Sequence, residues 1–147
     1  MKQYFSFSFL VIFSAILFSS CEEQKEQLED RDAILGMWDV VETIVTVNPS
    51  SAELRATDQA HLVQIARSEI FADEVFIYNF HGIREELYLP AAVDGKTVTI
   101  SEITLDDFIV HGQGTISSNS NTITWTYWVE DPQGEEEQYS ATYTRRQ

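Results

Sequence analysis

The sequence predicts an all-β fold, an antiparallel up-and-down barrel of about eight strands, on three observations. From residue 37 to the C-terminus, short runs rich in Val, Ile, Thr, Tyr, Phe and Trp alternate with period two. Turn-forming residues separate these runs at short intervals, so neighbouring strands are antiparallel. Helical patterning is nearly absent. A meander of this kind removes its exposed edges by closing into a barrel. A two-sheet sandwich is the alternative.

The chain opens with "MKQYFSFSFLVIFSAILFSS", one early Lys2 followed by an apolar core and a small pair Ser19-Ser20. Residues 1–20 therefore read as a secretory signal peptide. The core from Tyr4 to Phe18 is shorter than the roughly 18 to 20 residues a membrane span needs, and charges follow it directly. Cys21, the single cysteine, has no partner for a disulfide in an oxidising compartment. Phe18-Ser19-Ser20-Cys21 resembles the bacterial lipobox, in the relaxed form seen in lipoproteins of Bacteroidota. That resemblance implies lipidation (palmitate) of Cys21 and an anchor in the outer membrane of the cell envelope. Each buried acyl CH₂ contributes about 0.8 kcal/mol to such an anchor.

Residues 21–33 carry Glu22-Glu23-Gln24-Lys25-Glu26 and Glu29-Asp30-Arg31-Asp32, too polar to bury themselves, and are expected to be a solvated acidic tether. An acidic stretch directly after the cysteine also resembles the signal that sends some Bacteroidota lipoproteins to the cell surface. Residues 34–147 are then one compact domain. The formal charge of −15 becomes one unit more negative when Lys2 is cleaved away. So acidic a chain argues against nucleic acid as a partner, because phosphate backbones reward Lys and Arg. It contains no calcium-loop pattern, only scattered pairs such as Asp106-Asp107.

Strands are expected at about residues 37–47, 61–67, 75–80, 86–93, 96–101, 108–117, 122–129 and 137–145. "PSSAELRATDQA" predicts a short helix before the second strand, capped by Ser50 or Ser51. Hairpin turns are signalled by Asp94-Gly95, by Asn119 to Asn121 and by "DPQGE". Parity assigns the faces: Ile123, Trp125, Tyr127 and Val129 point to the core, with Tyr139, Ala141 and Tyr143 on the last strand. Gly112 and Gly114 fall on the inward face, where two alternating glycines suggest a bend that lets a small barrel close.

Gly36-Met37-Trp38 at the start of the first strand resembles the Gly-x-Trp motif of lipocalins. In that family the Trp stacks at the closed end of the barrel against an Arg from near the C-terminus, a role that falls here to Arg145. The resemblance therefore implies a lipocalin-like barrel in which Trp38 meets Arg145. Across nearly the whole chain, the plan is similar to small lipocalin-like lipoproteins of Bacteroidota.

Catalytic chemistry is not indicated. His61, His81 and His111 lack paired metal-ligand spacing, and surface or turn positions are expected for all three. The chain has no nucleophile-elbow, zinc-protease or phosphate-loop motif, and Glu85-Glu86 and Asp106-Asp107 are neighbours whose side chains face opposite ways on a strand. No cofactor and no metal site are expected, and the protein is read as a non-enzyme. Phe108, Trp125, Tyr127 and Tyr143 are the candidate lining of a site for a small apolar ligand. The alternative is a filled barrel serving as a protein- or glycan-interaction module, with exposed aromatics such as Trp128 and Tyr88.

Overall fold

The computed structural model describes residues 30–45 and 59–147. The expected signal peptide, Cys21, most of the tether and the expected short helix lie outside the described residues. Eight strands form a closed barrel in sequence order: β1 (Gly36–Ile44), β2 (Gln59–Arg67), β3 (Glu74–Tyr78), β4 (Tyr88–Asp94), β5 (Thr97–Leu105), β6 (Phe108–Ile116), β7 (Thr122–Glu130) and β8 (Glu136–Arg145). Every neighbouring pair is antiparallel, and β1 closes the ring against β8 from Trp38↔Arg145 to Ile44↔Tyr139. The sandwich alternative is excluded by that closure.

Local sequence explains the corners. Asp94 pairs with Thr97 around Gly95-Lys96, and Leu105 pairs with Phe108 around Asp106-Asp107. Asp106-Asp107 therefore builds a hairpin tip. Asp131 accepts the amides of Gln133 and Glu135 at 2.8 and 2.9 Å, which folds the "DPQGE" turn through its side chain. β5 runs further than its alternation predicts, because a register shift between Ile100 and Ile103 lets pairing with β6 resume as far as Leu105.

The interior follows the parity. Trp38, Val63, Ile77, Leu89, Trp125 and Tyr143 are all fully buried members of one core. Gly112 and Gly114 have a more specific role than a bend. Gly112 lies opposite Tyr127 and Gly114 opposite Trp125; a Cβ on Gly114 would come within 2.8 Å of the Trp125 ring, and one on Gly112 would collide with the Cβ of Tyr127. The two glycines give the two inward-facing rings of β7 their room.

One end of the barrel is closed by Arg145, whose guanidinium lies 4.6 Å from the Trp38 ring centroid. It donates to the carbonyls of Ala33, Leu35 and Ser120, while the Trp38 indole N–H donates to Ile34 O at 3.0 Å. The last residues of the expected tether are docked here by specific contacts. Arg31 is buried and donates to Ala72 O, Asp32 pairs with Arg67 at 2.7 Å, and Asp30 pairs with Lys96 at 2.6 Å. Charge made this segment look unable to pack; the barrel end supplies a carbonyl and two cations for it.

Candidate ligand site in the barrel interior

The site begins with parity on β1. Trp38 and Val40 face inward, so Glu42 does too, and it is buried with 3% of its side chain exposed. On β2 the same alternation carries His61 inward with Val63 and Ile65, and His61 stands opposite Val40 in the ladder. Its Nε2 is 3.6 Å from Glu42 Oε1. The second imidazole arrives from irregular backbone. In the turn at Phe80–Gly82, Asn79 and His81 adopt left-handed φ values of 58° and 56°, a region non-glycine residues seldom occupy. This turn buries Phe80 completely, edge-on to Trp125 and Tyr127, and brings His81 Nδ1 to 3.0 Å from Glu42 Oε2 and 2.9 Å from the Tyr127 hydroxyl.

Around this carboxylate stand aromatic rings. Tyr127 and Tyr139 stack at 5.4 Å between centroids, Trp125 and Tyr143 lie 5.6 Å apart, and His81 sits edge-on to Tyr139 at 4.5 Å. Burial pushes the Tyr127 and Tyr143 hydroxyls far above the usual phenol range, and the charge of Glu42 pushes them further. Tyr139 is raised by burial first, then by its 2.6 Å hydrogen bond to Glu137 and by the nearby carboxylates. All three hydroxyls are therefore neutral at ordinary pH. Three buried polar atoms here, Glu42 Oε1, Trp125 Nε1 and Tyr143 OH, have no hydrogen-bond partner among the described residues.

Of the candidate lining residues, Trp125, Tyr127 and Tyr143 are brought together in this layer, whereas Phe108 lies at the β5–β6 hairpin, partly buried against the core. The expectation of a surface or turn position fails for His61, which lies on β2 with its side chain 15% exposed and facing Glu42; His81 is in a turn as expected, its side chain 19% exposed and also facing Glu42. His111 lies on the outer face, its ring stacked at 5.1 Å on Trp128. Glu42 and His61 were legible from the parity of Trp38 and of Val63; nothing in the residues around His81 reveals its direction. Among the described residues, no group of three His, Cys, Asp or Glu side chains has an arrangement that holds a metal ion. No protein-family model matches the sequence, and no curated protein matches it.

Proposed function

We propose that this chain is a lipid-anchored protein of the bacterial cell envelope whose lipocalin-like barrel binds a small, largely apolar ligand in its interior. The anchor rests on the signal-peptide pattern and the lipobox-like residues before Cys21. The observation that carries the binding role is the set of buried polar atoms with no hydrogen-bond partner among the described residues, Glu42 Oε1, Trp125 Nε1 and Tyr143 OH, inside an aromatic interior. A barrel retained for stability alone gains nothing from them, since each buried group without a partner costs about 1–3 kcal/mol. Small-molecule sites have this make-up, apolar walls with a few convergent polar atoms.

The test is organic extraction of the full chain recovered from membranes, followed by mass spectrometry of the extract against an equally treated blank. A small molecule in near-stoichiometric amount supports the reading. A clean extract, together with failure of added apolar compounds to shift the melting temperature, sinks it. The same experiment weighs the interaction-module alternative, whose support is the outer cluster of Tyr88 with Phe76 and Tyr78, at 4.5 and 5.4 Å between centroids.

A further inference from the structure

We infer that the interior site takes an organic cation, an alkylammonium group held by the Glu42 carboxylate inside a cage of Trp125, Tyr127, Tyr139 and Tyr143. The inference rests on the small-ligand reading above and adds the charge of the ligand. Strand register builds the cage. Ala141 on β8 pairs with Glu42 on one side and with Trp125 on the other, so what stands between carboxylate and indole in the ladder is a single methyl group. Tyr139 and Tyr143, two residues to either side of Ala141, flank it on the same face, and Tyr127 completes the wall by stacking on Tyr139.

That enclosure combines aromatic rings with one carboxylate and two imidazoles. Aromatic faces attract cations, and cages of such rings are how quaternary ammonium groups are recognised. Glu42 is 3% exposed, and its ion-pair contacts among the described residues are the imidazoles of His61 and His81. The neutral tyrosine hydroxyls can donate to it but do not cancel its charge. A buried anion is costly unless it is paired, and Oε1 lacks a hydrogen-bond donor among the described residues. A ligand that brings a permanent positive charge adds a partner whose charge, unlike that of the two imidazoles, does not depend on protonation. A carboxylate ligand would instead set two like charges together in a medium of low dielectric. Trp125 Nε1 and Tyr143 OH are donors suited to an oxygen acceptor carried near the cationic group.

Three probes of nearly one shape separate charge from size: choline, its neutral isostere 3,3-dimethylbutan-1-ol, and the anion 3,3-dimethylbutanoate. Each is titrated calorimetrically into the full chain at neutral pH. Choline should bind at least tenfold more tightly than the alcohol, with the anion weakest. Glu42→Gln should abolish the preference for choline, with the variant's melting temperature and circular dichroism establishing that it is folded. The wild-type series needs no variant. Equal affinity for choline and the alcohol overturns the cation assignment and leaves the small-ligand reading standing. Failure of all three probes to bind also overturns it, and the extraction experiment then decides the small-ligand reading by itself.

Discussion

Arg145 illustrates how much closure one side chain can supply: it covers the Trp38 ring and donates to three carbonyls from two separate segments of chain. Arg145→Ala removes the cation–π contact and leaves those carbonyls short of a donor, with an expected loss of about 2–4 kcal/mol in urea unfolding. Arg145→Ala and Trp38→Leu should be non-additive by more than about 0.5 kcal/mol, since residues in contact couple. Arg146 is the control. It is half exposed and reaches Asp39 at 4.0 Å, so Arg146→Ala should cost under about 0.5 kcal/mol. Gly114→Ala should cost about 1–3 kcal/mol by overpacking, because the added methyl meets the rigid Trp125 ring. Gly112→Ala should cost more, since its Cβ meets backbone and Cβ atoms that cannot swing away.

At the scale of elements, the segment leading into β1 behaves as part of the barrel. Residues 30–32 are helical, and Ile34 N and Leu35 N continue the turn by donating to Arg31 O and Asp32 O. Of their tertiary contacts, the exposed Asp32–Arg67 pair contributes little, about 0–1 kcal/mol. Buried Arg31 matters more, because its guanidinium satisfies Ala72 O in the β2–β3 connection. Arg31→Ala is expected to cost about 1–3 kcal/mol, read as a lower melting temperature. An unchanged melting temperature would show that the docking is incidental. The Phe80–Gly82 turn contrasts with this segment, since it invests left-handed backbone to place Phe80 and His81 over the interior. Such backbone, at a cost of order 1–3 kcal/mol per strained residue, gathers at functional positions.

The whole molecule should lose stability in alkali. An unfolded tyrosine ionises near pH 10, whereas burial and Glu42 hold the proton on Tyr127, Tyr139 and Tyr143 well above that. Below about pH 10 both states keep these protons, and the three groups leave stability independent of pH. Above it the unfolded chain ionises first, so stability falls as pH rises. Denaturant midpoints should therefore drop from about pH 10 upward, with phenolate absorbance from these residues appearing only as the barrel opens. Ionisation of Tyr127 or Tyr143 near pH 10 in folded protein would contradict their burial. The proposed anchor gives a second expectation at this scale: Cys21→Ala should release the mature protein from membranes, and mass spectrometry of the wild-type N-terminal peptide should find acyl chains.

The amino-acid sequence by itself determined the strands, their antiparallel order and the faces they bury, because period-two alternation and turn residues are local signals that tertiary structure had no reason to override. It also placed Trp38 and Arg145 at one end, since an even-stranded meander brings the start of the first strand beside the finish of the last. Tertiary structure decided what lies across the barrel. Parity states that Glu42 and His61 point inward, but it does not state that His81 will swing in from a turn to meet them, nor that Ala141 will stand between Glu42 and Trp125 in the ladder. It decided the fate of Asp30, Arg31 and Asp32 as well. Their charges look unfit for packing until the barrel end presents Lys96, Ala72 O and Arg67 to receive them. The difference has one physical cause: alternation is read along a strand, whereas the polar contacts of the interior join residues far apart in the chain, whose meeting depends on closure, register and the direction of an irregular turn.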